Sequence, residues 1–286
     1  MTAKVAVVGS VNLDFIIETE RLPAPGETEI GGRFSTSPGG KGGNQALSAR
    51  RLGADVSFFA KTGQDAYAEI ALSNLKDDGA DLSQIVASRE GSTGAAFISV
   101  DQAGENQIAV ASGTNLTFDA SELPHRIEAD ILLAQLEVPQ PLLIAACDRT
   151  DAFVMLNSAP ALPLNPELLK RVNLLILNQH EFEDYGEALA DYSGMMAVTL
   201  GGEGAYLVNR GQEIARCSAF EVEVVDTTGA GDCFCGALAV ALAEKMPPEQ
   251  ALQFACAAGA LATTKLGAQS GLPYRDAVDA MVTANT

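Results

Sequence analysis

Short apolar runs that read as buried strands alternate with helical patterns along most of this chain. That alternation restricts the architecture more than any other feature. Lys4 to Val8 is an apolar run ending at Gly9, and Gly42 to Leu52 carries a helical pattern stopped by Gly53. Val56 to Ala60 reads as the next strand and Ala66 to Leu75 as the next helix, ending before Asp77-Asp78-Gly79. Four more runs, Ile131 to Leu136, Phe153 to Leu156, Leu174 to Leu177 and Ala197 to Leu200, are separated by helical or Pro-rich stretches. Strands joined by helical crossovers lie parallel, with the helices on both faces. The expected fold is α/β, a three-layer α/β/α doubly wound, mostly parallel sheet.

Two segments depart from the pattern. Phe15 to Ser37 mixes β-type residues with Pro23, Pro25 and several glycines. Ala95 to Ala111 reads as a hairpin, AAFISV and NQIAVA around Asp101-Gln102-Ala103-Gly104. Together they predict a small antiparallel flap over one end of the sheet, suited to excluding water. In the C-terminal third, Glu221 to Val225 reads as a strand. Helices are expected over Ala230 to Glu244, Glu249 to Leu266 and Arg275 to Val282. With no repeat, low-complexity tract or linker, residues 1–286 are expected to form one domain, with flap segments at about 14–37 and 95–111.

Composition narrows the function classes. Apolar residues at 47% and charged residues at 19% exclude disorder as the main state. A net charge of -19 repels phosphate backbones and argues against nucleic-acid partners, without excluding a local cationic pocket for a small anion. The N-terminal stretch has no secretory pattern and no run of about 20 apolar residues occurs, so no membrane span is expected. Five cysteines without a CxxC pair, and only two histidines, predict reduced thiols rather than disulfides or zinc, and a cytoplasmic protein.

The chemistry concentrates in a few stretches. Asp226-Thr-Thr-Gly-Ala-Gly-Asp232 lies at the expected entrance of an apolar helix. Gly229, Ala230 and Gly231 are small enough for backbone N–H groups to approach an anion closely, and a helix N-terminus favours one there. Asp232 falls in the first turn, where a carboxylate can take a proton from an attacking hydroxyl. A plain strand-to-helix turn accounts for Gly-Ala-Gly alone about as well. Pro38 to Ala46, PGGKGGNQA, is a second glycine-rich helix entrance. It is not a Walker A loop, and no GxGxxG occurs. Lys41 and Asn44 there can hold a polyhydroxylated ligand. Asn12 and Asp14 follow the first strand, where Asx residues are also ordinary turn formers. Asn178 and Glu181 can orient magnesium waters or phosphate oxygens, although alone they read more simply as a capping box. Thr199 to Gly204, TLGGEG, can approach a nucleotide and alone is a turn. Together these point to phosphoryl transfer to a sugar-like alcohol, which needs positioning and electrostatics but no His or Cys.

Two signatures, GGKGGNQA (Gly39 to Ala46) and VVDTTGAGDCFCGAL (Val224 to Leu238), resemble the PfkB carbohydrate kinase family and, within it, the ribokinases. GSVNLD, LLAQLEVP, LNSAP, LNQHE, TLGGEG and KLGAQSGLP support the resemblance in order, from about Val5 to Val282. It implies a ribokinase-like fold and ATP-dependent phosphorylation of a sugar CH2OH group, in ribokinases the 5-hydroxyl of D-ribose. It makes Asp232 the general base and Gly229, Ala230 and Gly231 the anion hole. Asn12, Asp14, Gly40, Lys41, Asn44 and Glu137 match sugar contacts. Asn178 and Glu181 match a motif that organises Mg2+ and phosphate, and Thr199, Gly201 and Gly204 the nucleotide loop. Cys256 stands near adenine, where relatives often carry a polar or imidazole side chain. Asp226 and Thr228 match the start of a K+ site, completed by carbonyls between Thr263 and Ser270, with Gly267 among them. The flap matches the family's β lid, which also implies a homodimer. The stretch from Glu181 to Val198 is shorter than in ribokinases, and the family's Gly-Asp pattern reads Gly63-Gln64-Asp65. Rival readings are a kinase of the same fold for deoxyribose, fructose or a nucleoside such as adenosine, an idle sugar- or nucleotide-binding protein, and, remotely, a NAD-dependent oxidoreductase.

Overall fold

A computed structural model describes residues 2–285. Its strands are β1 (Lys4–Val8), β2 (Asn12–Glu18), β3 (Arg33–Gly39), β4 (Asp55–Gly63), β5 (Ile85–Ser88), β6 (Gly94–Val100), β7 (Asn106–Ala111), β8 (Ile131–Gln135), β9 (Phe153–Asn157), β10 (Leu174–Asn178), β11 (Met195–Thr199), β12 (Ala205–Asn209) and β13 (Gln212–Cys217). The helices are α1 (Lys41–Arg51), α2 (Ala66–Ala71), α3 (Ser73–Asp77), α4 (Gln140–Asp148), α5 (Pro166–Leu169), α6 (Gln179–Tyr185), α7 (Ala230–Ala243), α8 (Pro248–Ala262) and α9 (Arg275–Ala284).

The main sheet has nine strands in the order β13-β12-β11-β10-β9-β8-β1-β4-β5. From β11 to β5 every pairing is parallel, and β12 and β13 add an antiparallel edge. The central strands are apolar on both faces, because helices cover both. Strand β1 shows the division: Val5 and Val7 join the core with α1, α7 and α8. Ala6 and Val8 face the opposite core, with Leu142, Leu143 and Ala146 of α4. The architecture is the α/β/α arrangement that the alternation predicts.

A second sheet of four strands, β3-β2-β6-β7, forms the lid. It is antiparallel at β3–β2 and β6–β7 and parallel where β2 meets β6, with Asn12 opposite Gly94. The residues between Glu18 and Arg33 form no strand.

Three expectations need correction. Glu221 to Val225 is not a strand: Val225 and Asp226 donate their N–H groups to Thr263 O, and Val224 and Val225 stay exposed. Its alternating EVEVV pattern has no neighbouring strand to pair with, and the edge is taken by β13. The helix expected over Ala66 to Leu75 breaks at Leu72 into α2 and α3. The helix expected to reach Leu266 ends at Ala262, and Thr263 to Ser270 forms a loop that returns over Asp226.

Candidate active site

Strand β1 has β4 on one side and β8 on the other, and β8 follows both in the chain. That reversal opens a crevice at the carboxyl ends of β1 and β8, where doubly wound sheets bind ligands. Ser10, just after β1, and Glu137, just after β8, meet there, with the Ser10 hydroxyl donating to the Glu137 carboxylate. The same carboxylate accepts the Lys41 backbone N–H at 3.0 Å. Glu137 thus supplies the cap that α1 lacks, since its N-cap residue is Gly40. Gly42 permits this convergence: a Cβ on it would lie 2.5 Å from Ser10 N.

Helix α7 brings Asp232 to the same crevice, with 7% of its surface exposed. Asn44 Nδ2 donates to its Oδ2 at 2.9 Å, and Gln45 Nε2 donates to its Oδ1 at 3.0 Å. Asp232 acts in turn on Lys41, holding the ammonium's pKa above its usual value against desolvation, with Glu137 adding to the effect. A fixed carboxylate beside a charged lysine is the arrangement needed to take a proton while binding an anion.

The N-cap of α7 is Gly229, left-handed with φ 78°. A Cβ there would lie 2.7 Å from Ala268 O, so only glycine fits this turn unstrained. The Ala230 N–H turns back to Thr227 O at 3.2 Å, so of the expected three-residue anion hole this amide is engaged within the turn. First-turn N–H groups have no intrahelical partner, and Gly231 lines both cavities of the site.

The smaller cavity, about 130 Å3, is bordered by Lys41, Glu181, Gly229, Asp232 and Cys235. The larger, about 420 Å3, lies between the Gly201–Gly204 turn, Phe220, Val222, Phe234 and Cys256, and its lining is mostly apolar. Asn178, Thr199 and Gly231 belong to both walls. A polar chamber holding a carboxylate and a lysine therefore opens beside a broader apolar one. That shape fits a phosphate chain crossing from a heterocycle toward an alcohol.

Not every expected contact lines these cavities. Asn12 is buried, its Oδ1 accepting from Asn115 Nδ2 at 2.8 Å. Asp14 sits on β2 against Gly39, and burial, followed by the like charge of Glu137, pushes its carboxyl up to about 6. Both stand at the base of the lid, on the Glu137 side of the crevice.

Asn178 and Glu181 form the simple capping box of α6: Asn178 Oδ1 accepts from Glu181 N and Glu181 Oε2 from Asn178 N, both at 2.8 Å. They line the polar chamber as well. Among the described residues no group of three or more His, Cys, Asp or Glu could hold a metal ion. A Mg2+ here would rely on Glu181 with waters and phosphate oxygens, as this ion commonly does. The Asp226 loop gathers oxygen donors. Asp226 Oδ1 accepts from Thr228 N and Oγ1, and its Oδ2 from Gly267 N at 2.7 Å. Burial opposes the charge, but these bonds outweigh it and hold the Asp226 carboxyl below its ordinary value. Thr263 O already accepts two backbone N–H groups, and the Ser270 hydroxyl donates to Leu266 O. The oxygen-only set suits a hard cation, with Asp226 Oδ1 and Thr263 O each already accepting two hydrogen bonds.

Ser10, Gln45, Gln135, Asn157 and Gln269 belong to the site's hydrogen-bond network but carry no assignment from sequence. Gln135 left a signal, being the polar residue inside the apolar run ILLAQL.

The pfkB family carbohydrate kinase profile matches residues 2–275. A ribokinase of Bacillus subtilis is 36% identical over 291 residues, spanning 97% of this chain and 99% of the relative. The solved ribokinase of Thermotoga maritima superposes with a TM-score of 0.90 at 32% identity, covering 99% of this chain and 100% of that one. An Arabidopsis thaliana ribokinase solved with ribose and ATP gives 0.87 at 31% identity, covering 99% of each chain. Fold and site thus define a carbohydrate kinase. The chain belongs to the pfkB family.

Proposed function

We propose that this protein transfers the γ-phosphoryl group of ATP to the 5-hydroxyl of D-ribose. The observation that carries the reading is the buried Asp232 carboxylate in the wall of a polar chamber that opens beside a broad apolar cavity. In this reading Asp232 takes the hydroxyl proton, and the first-turn amides of Gly229, Ala230 and Gly231 steady the transferring phosphoryl group. Ala230 joins them when its N–H leaves Thr227 O. Asn12, Asp14, Gly40, Lys41, Asn44 and Glu137 hold the sugar. Thr199, Gly201, Gly204 and Cys256 border the nucleotide, and Asn178 and Glu181 orient the waters of Mg2+. K+ is held by the loop of Asp226, Thr228, Thr263, Gly267 and Ser270, and when bound it fixes the α7 entrance. The relatives named ribokinases, and the neighbour solved with ribose and ATP, favour ribose over deoxyribose, fructose or adenosine.

The lid leaves Phe34, Phe97, Ile108 and Val110 more than half exposed, and we assign this surface to a homodimer contact. Residues 1–286 then act as one domain with the lid inserted. Five free thiols and consumption of ATP suit a cytoplasmic site of action. Among the described residues no helix is long and apolar enough to cross a membrane.

The test is ADP release from magnesium-ATP with D-ribose, with and without K+, against 2-deoxyribose, fructose and adenosine. Ribose turnover that falls when K+ is withdrawn is the expected result. Turnover with another alcohol and none with ribose overturns the substrate assignment, and indifference to K+ overturns the cation site.

A further inference from the structure

Asp232 is held by a web of buried amides, in which Asn44 also has a proposed sugar contact and Asn157 lines the polar chamber, while Gln45 and Gln135 do not line it. Gln45, fully buried in α1, uses its NH2 group twice, toward Asp232 Oδ1 at 3.0 Å and Asn157 Oδ1 at 3.2 Å. Its own carbonyl, Oε1, accepts from Gln135 Nε2 at 2.7 Å. Asn157 in turn sends its Nδ2 to Ile176 O on β10, which leaves its oxygen facing Gln45. An amide has one acceptor end and one donor end, so neighbours at both ends fix which way it points. Here Gln135 claims the acceptor end of Gln45, and Asn157 and Asp232 claim the donor end. The flipped amide would set one oxygen against two others.

Gln135 is itself informative. It is fully buried in β8, and its Oε1 has no hydrogen-bond partner among the described residues. A buried unpaired acceptor costs about 1–3 kcal/mol. The side chain is therefore held for its donor, and that donor's partner is Gln45. On the other oxygen of Asp232 the pattern repeats: Gln269 Nε2 donates to Asn44 Oδ1 at 3.0 Å, which turns the Asn44 NH2 toward Asp232 Oδ2. Asn44 has a proposed role toward the sugar, so the Gln45 wing is the one that separates positioning from binding.

We propose that Gln45, oriented by Gln135, is a positioning residue for the general base. It holds the Asp232 carboxylate in its productive orientation by donating to Oδ1. The charged and titratable groups that interact with Asp232 are Lys41 on α1 and Cys233 and Cys235 on its own helix, and Glu181 on α6 shares the polar chamber with it. None of them is altered by substitution at Gln45 or Gln135. The proposal deepens the phosphoryl-transfer reading and rests on it.

The test compares Gln45→Met, Gln45→Glu and Gln135→Met with the unaltered full chain, reading kcat, both KM values and thermal melting. Gln45→Met is expected to lower kcat roughly 10- to 100-fold, a part of the 10²–10⁴-fold typical of general base catalysis. KM for ribose and ATP should stay within about threefold. Gln45→Glu should lower kcat further, because it sets a second carboxylate against Asp232 where the unaltered chain has a donor. Gln135→Met leaves both donors to Asp232 in place and should give a smaller change of the same sign. It remains the test if neither Gln45 variant folds. A folded Gln45 variant with kcat within about threefold overturns the proposal, as does a loss carried by KM at constant kcat. If the unaltered protein phosphorylates no sugar, the phosphoryl-transfer reading has failed. The relay is then tested by the carbon NMR chemical shift of the Asp232 carboxyl at neutral pH in the unaltered chain and in Gln45→Met, where an unchanged chemical shift overturns it.

Discussion

Asp14 ties the sugar assignment to pH through a specific sign. Burial and Glu137 raise its carboxyl to about 6, above the ordinary aspartate value. A raised acid contributes stability that is present below the unfolded value and is lost as pH rises through about 6. Its ionised form is also the better acceptor for sugar hydroxyls. Sugar binding is therefore expected to weaken as pH falls below about 6, and Asp14→Asn should bind more weakly at neutral pH and lose that dependence. Calorimetric titration of ribose between about pH 5 and 8 checks both proteins, and a flat profile in the unaltered protein removes Asp14 from the sugar site. Much of this site was legible residue by residue, because glycine-rich helix entrances and a first-turn aspartate are local features. The amides that hold Asp232 were not. Gln45 lies inside a recognised motif, yet its role depends on Asn157 and Gln135, which only the folded sheet brings to it.

At the level of elements, the entrance of α7 carries the strictest backbone requirement. Gly229 has φ 78°, and a Cβ would press on Ala268 O. An L side chain in this region costs about 1–2 kcal/mol before any clash. Gly229→Ala is thus expected to lower stability by at least that much and to reduce kcat more than either KM, since the first-turn amides shift with it. Thermal melting with steady-state kinetics checks this, and an unchanged kcat with unchanged melting contradicts it. The central parallel strands were readable because each is a continuous apolar run between helical patterns. The edges were not. Glu221 to Val225 alternates as a strand should, but its N–H groups go to Thr263 O. β12, AYLVN, is a short apolar run close behind the Gly201–Gly204 turn, and β13, QEIARC, mixes polar and apolar residues without alternating. The lid was recognisable as two β-rich segments, whereas the parallel pairing of β2 with β6 is a long-range contact with no local signature.

For the whole molecule, charge and the lid surface work against each other. A chain of net charge -19 repels its own copies, while Phe34, Phe97, Ile108 and Val110 favour association. The proposed dimer should therefore tighten as salt screens the repulsion, and Phe97→Asp should shift the protein toward monomer by sedimentation. A monomer at every salt concentration contradicts the lid assignment and leaves the chemistry untouched. That chemistry turns on one carboxylate in the wall of the polar chamber, so the decisive measurement follows it alone. Formation of ribose 5-phosphate from magnesium-ATP and D-ribose should be recorded by phosphorus NMR for the unaltered protein and Asp232→Asn, with ATP affinity measured on both. The account predicts turnover in the first, a loss of roughly 10²–10⁴-fold in the second, and similar ATP affinity in the two. A folded Asp232→Asn protein that turns over ribose at near-normal rates would contradict it.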